Sequence, residues 1–314
     1  MKNNKLGLLY SSITLLFWGI LPIALKLSEE FIDATSLSWF RFFIAFIIIF
    51  IIQLSSNNLN QFRKITKIEA IKLLFAGVFL TLNYVTFVLT LKYLSPGEAQ
   101  LNFQVAPFFL AFGSLLFFKE RLSAIQLSCL FTLAIGIILF FHPNISGHIN
   151  TGSKVLIGVG IIEFSALSWA CYTLLQKSLM AKLSTSNVLL CVFGIGMVLL
   201  TPLTDFTRLT TLTGFDWSIA LFCAFNTLIA YSALAKALVF WPAAQVSAVV
   251  AVAPVISFTS TAFVVAMGWW PSLIKAHHLS SLSIIGIIVI VGSVAAMQLL
   301  PHLLNQHKQI EQHS

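Results

Sequence analysis

Ionisable and amide side chains set inside long apolar stretches are the places where this chain could do chemistry. Glu163 lies well inside one such stretch, about 12 Å along a helix that rises about 1.5 Å per residue. A carboxylate at that depth is costly unless it is protonated, paired or hydrated. It reads either as a group that binds a proton or an amine, or as a glutamate at the water boundary. Arg41 is placed similarly in another stretch. It could hold a carboxylate through two parallel N–H bonds, or snorkel outward, or pair with Glu29, Glu30 or Asp33 as a structural clasp; the structural reading is preferred. Neutral polar groups recur at comparable depth: Asn83 and Tyr84, then Gln100, Asn102 and Gln104, then Asn226 and Tyr231, then Gln245 and Ser247. Each can bond a substrate or glue two helices together. Gln100 and Gln104 share a helix face, whereas Asn102 cannot lie on the same narrow strip.

Trp18 and Trp169 can wall a binding site or serve simple packing. Pro22, Pro107 and Pro254 interrupt helical hydrogen bonding; the last two read as conformational hinges. Trp269 and Trp270 read as interfacial anchors. The four cysteines fall inside apolar runs, far apart, which fits neither a disulfide framework nor a zinc site. His277, His278 and the tail histidines match no metal motif. There is no P-loop, Gly-x-Ser-x-Gly elbow or His-Glu-x-x-His sequence. No cofactor is expected.

These side chains must be positioned by elements that lipid dictates. The chain is 58% hydrophobic and only 9% charged, too few charges to cover a water-soluble surface of 314 residues. The net charge of +8 is scattered between apolar runs rather than gathered in one patch, which argues against nucleic-acid binding. The first apolar run continues to about Leu25 and reads as a spanning helix rather than a cleaved leader. Apolar lengths predict ten spans near 6–26, 35–54, 71–91, 98–118, 124–141, 155–176, 187–204, 217–238, 243–266 and 281–300. With the N-terminus inside, basic residues divide twelve to five in favour of the inner segments, Arg41 set aside. Both termini are therefore expected in the cytoplasm.

The chain also repeats itself. Trp18 stands eight residues before Lys26, and Trp169 eight before Lys177. Phe75, Tyr84 and Ala106-Pro107 recur at one offset as Phe222, Tyr231 and Ala253-Pro254. Five spans per copy is an odd number, so the second copy enters the membrane from the opposite side. Inverted repeats are a recurrent architecture of secondary transporters, with the substrate near the midplane.

In these motifs, together with Lys119-Glu120-Arg121, Gly136 and the stretch from Asn226 to Tyr231, the chain resembles the drug/metabolite transporter superfamily in its EamA-like ten-helix branch. The likeness covers about residues 6–300; the second half lacks a counterpart of Glu120-Arg121. It implies a multi-pass carrier of metabolites, amino acids or drugs, often an exporter. The expectation is thus an all-α membrane protein of ten transmembrane helices in two inverted five-helix repeats: 1–142, a connecting loop 143–154, a second repeat 155–300 and a cytoplasmic tail 301–314. Its expected work is alternating-access export of a small amino-acid-like or amphipathic compound across a bacterial inner membrane. Its expected partners are that small-molecule substrate, the lipid bilayer and protons as coupling ion. Substrate contacts are assigned to Trp18, Asn83, Tyr84, Asn102, Gln104, Trp169, Asn226, Tyr231 and Gln245, and coupling or charge pairing to Glu163 and Arg41. The rival readings are an uptake carrier or exchanger of a nucleoside- or amino-acid-derived metabolite, and a membrane enzyme or lipid-handling protein.

Overall fold

Backbone groups in lipid find partners only within their own helix or a closed barrel, and this chain takes the helical solution. The computed structural model describes residues 4–118, 124–147, 149–241, 246, 249–250, 252–274 and 280–311. Twelve α-helices are defined among them: α1 Asn4–Ser28, α2 Ala34–Ser55, α3 Lys67–Thr90, α4 Pro96–Asn102, α5 Ala106–Phe118, α6 Ala124–Gly147, α7 Ile149–Leu179, α8 Thr185–Leu200, α9 Phe206–Thr210, α10 Gly214–Phe240, α11 Ala253–Ala266 and α12 Ser281–Glu311. Six of them, α1, α2, α3, α7, α8 and α10, contain apolar stretches long enough to cross a membrane. No strand occurs among the described residues, and the protein is an all-α membrane protein.

Polar caps mark where several helices begin. Asp33 accepts from the backbone N–H groups of Thr35 and Ser36 at the start of α2. Thr66 with Glu69, Ser95 with Glu98 and Thr213 with Asp216 form reciprocal capping boxes on α3, α4 and α10. Each box satisfies N–H groups that a helix start leaves unpaired.

Two expectations change. The predicted span 98–118 is not one helix: α4 ends at Asn102, a 3₁₀ turn occupies Phe103–Val105, and α5 restarts at Ala106. Pro107 therefore stands in the first turn of a new helix, where its missing N–H costs nothing. Pro254 holds the same position in α11, after the turn at Val252, while Pro22 lies within α1. The segment 143–154, expected as a loop, is helical on both sides of residue 148, and the tail continues helical to Glu311. Hydropathy marks where a span leaves lipid, not where its hydrogen bonding stops.

Packing joins the two ends of the sequence throughout. α1 packs on α10, α3 on α7, α2 on α8 and α6 on α12; α5 lies on α7, α11 on α1, α2 also meets α10, and α3 meets α8. Every one of these contacts links a helix before residue 148 to one after it. At one end of α3, Lys26 donates to Glu29 at 2.7 Å and to the Leu91 carbonyl at 2.5 Å. At the other end, Lys182 pairs with Glu69 at 2.6 Å and Lys72 donates to Ser178. The outer surface is apolar: Leu116 and Phe117 are three-quarters exposed and Phe131 and Ile288 nearly as much, a pattern suited to lipid rather than water.

Candidate functional site

A cavity of about 1220 Å³, part of it open to the surroundings, lies among these helices. It borders both main hydrophobic clusters, touching Leu25 of one and Tyr84 of the other.

α2 delivers Arg41 from its eighth position, about 10 Å into the helix. The side chain is only 4% exposed. Its Nε donates to Thr227 Oγ1 at 3.1 Å, and Thr227 in turn donates to the Cys223 carbonyl. The guanidinium carbon sits 4.3 Å from the centre of the Tyr84 ring, a cation–π arrangement. The clasp expected to Glu29, Glu30 or Asp33 does not form. Glu29 is held by Lys26 and Asp33 caps α2, and Arg41 points into the cavity rather than outward.

Asn83 of α3 uses its amide to bridge to α7, donating to Ser165 Oγ at 2.9 Å and to the Ser165 carbonyl at 3.1 Å. Ser165 returns a bond to the Asn83 carbonyl. Asn226 of α10 donates to the Phe17 carbonyl of α1 at 2.7 Å, while its Oδ1 is buried without a partner. Aromatic rings complete the wall. Trp18 meets Tyr231 edge-on at 5.6 Å, and Trp169 meets Phe103 edge-on at 6.0 Å.

Of the residues singled out by sequence, Trp18, Pro22, Arg41, Asn83, Tyr84, Gln104, Trp169, Asn226 and Tyr231 all lie on the cavity wall. Gln100 lines it as well. Asn102 does not: it faces elsewhere and donates to the Glu98 carbonyl one turn back. Glu163 is half-buried on α7 outside the lining. Pro107 and Pro254 each stand second in a helix. Gln245, Ser247, His277, His278 and Lys119-Glu120-Arg121 fall outside the described residues.

The sequence reading missed Thr227, Phe87 and Phe103 as lining residues. Thr227 carried a usable signal, being a hydroxyl next to Asn226. The phenylalanines carried none in a chain with 29 of them. Among the described residues, no group of three or more His, Cys, Asp or Glu side chains is placed to hold a metal ion. The wall therefore offers binding groups, namely one cation, several amides and aromatic faces.

The profile of the EamA-like transporter family matches residues 5–142 and again residues 156–299. An uncharacterised transporter of Haemophilus influenzae is 32% identical over 311 residues, covering 96% of this chain and 99% of that one. The uncharacterised inner membrane transporter YhbE of Escherichia coli is 29% identical over 297 residues, covering 93% and 91%. One protein of known crystal structure superposes with a TM-score of 0.62 at 16% identity, over 96% of this chain and 99% of that one. That likeness speaks to the fold alone.

Proposed function

The chain belongs to the EamA-like transporter family, and from that premise we propose that it is a secondary transporter of a small organic metabolite working by alternating access. It is a multi-pass inner-membrane protein. One observation carries the proposal: a single cavity is walled by residues from both stretches that match the family. Trp18, Arg41, Asn83 and Tyr84 come from the first, and Trp169, Asn226 and Tyr231 from the second.

The finer architecture is ten spans in two inverted five-helix repeats with both termini cytoplasmic, residues 1–142 and 155–300 forming the two halves. Its support lies in the helix contacts. If each span is exchanged for its counterpart in the other copy, α1 on α10 becomes α7 on α3, and α5 on α7 becomes α11 on α1. The pairs α2–α8 and α6–α12 map onto themselves, and α2–α10 becomes α8–α3. Two like halves that meet this way can rock about the cavity and present it to either side in turn. The paired breaks before Ala106 and Ala253 supply flexible points in equivalent places. Outward movement is the direction the family resemblance favours, with Glu163 as the group through which protons would couple.

The test compares metabolites in medium and cytoplasm of deletion and overexpression strains, then follows the leading compound in sealed proteoliposomes under gradients imposed in each direction. Saturable, gradient-driven movement that is lost when Asn226 and Trp169 are both replaced by Ala is expected. Equal movement with and without protein refutes the transporter reading. Glu163→Gln is expected to flatten the pH dependence of transport. An unchanged profile removes Glu163 from the coupling role.

A further inference from the structure

We infer that the cavity selects small organic anions bearing one carboxylate, held by the outer edge of the Arg41 guanidinium, over neutral or cationic molecules of the same shape. The inference concerns recognition, and it rests on the transporter reading only in treating the cavity as the substrate site.

A guanidinium keeps its charge at any physiological pH. Holding it in the interior of a membrane protein is costly unless an anion accompanies it. Arg41 is nearly fully buried, yet it is the only charged side chain among the described lining residues. Three acidic groups on or beside the packed helices are committed elsewhere. Glu29 is bound by Lys26, Asp33 caps α2, and Asp205, beyond α8, caps α9. Glu163 stands on α7 outside the wall. Among the described residues, the wall thus supplies a cation to the cavity without a counter-ion.

The hydrogen bonds of Arg41 point the same way. Of its five N–H groups, only Nε–H is bonded to a described residue, to Thr227 Oγ1. The two terminal nitrogens have no acceptor among the described residues and are not sealed in protein, so their N–H groups open into the cavity. Tyr84 covers one face of the guanidinium plane and Thr227 fixes its inner edge. The outer edge is therefore held in one orientation, and two parallel N–H groups there match the two oxygens of a carboxylate. A single guanidinium neutralises one negative charge. A phosphate dianion would bring an uncompensated charge into the same low-dielectric space.

The remaining wall describes the rest of the ligand. Trp18, Trp169, Phe87 and Phe103 give apolar and aromatic surface, which suits a compact apolar body. The amide of Asn83 is spent on Ser165. The amide of Asn226 is likewise spent, on the Phe17 carbonyl.

The test uses purified full-length protein in lipid nanodiscs and a panel of C4–C10 monocarboxylates. Each is paired with its primary amide and its primary amine, and binding is followed by calorimetry. At least one carboxylate is expected to bind about tenfold or more tighter than both partners, the worth of one charge-assisted bond pair. Arg41→Gln is expected to abolish that preference and Arg41→Lys to keep part of it. Binding of the amides or amines as tight as the carboxylates, or no carboxylate binding at all, overturns the inference. So does a preference that survives in Arg41→Gln. Because the wild-type comparison stands alone, a misfolded variant does not rescue the idea. Carboxylate-selective binding without movement across sealed vesicles would refute the transporter reading and leave this inference standing. Transport of amides and amines as readily as acids would do the reverse.

Discussion

Replacing Gly286 by Ala is expected to loosen the contact between α6 and α12. A methyl group at Gly286 would lie 2.7 Å from Phe140 N, 2.8 Å from Gly136 O and 2.9 Å from Phe140 Cα. All three are backbone atoms, which cannot swing aside as a side chain would. Restoring ordinary contact requires α6 and α12 to separate by about 0.7 Å, and a gap of about 0.5–1 Å forfeits a quarter to a half of each neighbouring contact's attraction. The contacts at stake include Leu133, Phe140, Ile290 and Val294, all buried along this seam, and the bond from Ser283 Oγ to the Phe140 carbonyl at 3.2 Å. Overpacking of this kind costs about 1–3 kcal/mol. Exchanging Gly for Ala in a helix returns up to about 1 kcal/mol. Gly292, on the same helix, has nothing within 4 Å of the added methyl, so Gly292→Ala carries the helix gain without the clash. The two variants should therefore differ by about 1–3 kcal/mol, several degrees in thermal unfolding followed by tryptophan fluorescence in detergent. If Gly286→Ala unfolds at or above the temperature of Gly292→Ala, the close approach does not hold the seam and the reasoning fails.

Two further outcomes follow from other contacts. Asn83→Ala removes both amide bonds to Ser165 and is expected to cost about 1–2 kcal/mol. A double-mutant cycle with Ser165→Ala should show coupling, and strict additivity of the two losses contradicts the network. The hydrogen bond from the Thr207 hydroxyl, with the cap on the Thr207 N–H, holds the Asp205 carboxyl below the usual value of 3.8. A folded-state value below the unfolded one means that the cap stabilises α9 above the unfolded pKa and is lost as pH falls through the folded one. Amide exchange in 206–210, corrected for intrinsic rate, should quicken on acidification in wild type and be already fast in Asp205→Ala. Equal protection in the two proteins at neutral pH would falsify that account.

Much of the frame was legible because lipid imposes lengths. The runs at 6–26 and 35–54 coincide with α1 and α2 to within a few residues. The same reasoning passed over the break at Phe103–Val105, since an apolar stretch reads alike whether its backbone is continuous or not. Pro107, read as a conformational hinge, was the available clue, and it stands in the first turn of α5. Gln100 and Gln104, read as sharing a face, both line the cavity, whereas Asn102, also expected at the substrate, does not. For Arg41, charge in the sequence suggested a nearby acidic partner. Sequence distance says nothing of direction: Glu29 and Asp33 are both occupied locally, and the guanidinium turns toward Thr227 on a helix more than 180 residues away.

That Arg41 meets no counter-ion among the described residues has an electrical consequence. On the proposed recognition, the described wall with one carboxylate bound is neutral, and without it the wall carries one positive charge. Each cycle that carries such an anion outward and returns empty moves one positive charge inward. In a cell whose interior is negative, both the product and the return step run with the field. Each 100 mV contributes about 2.3 kcal/mol per charge, about a fiftyfold concentration ratio in favour of the outside. A carrier of this kind would export against a substantial gradient on membrane voltage alone, and its rate would respond to a potassium diffusion potential even with no proton gradient present.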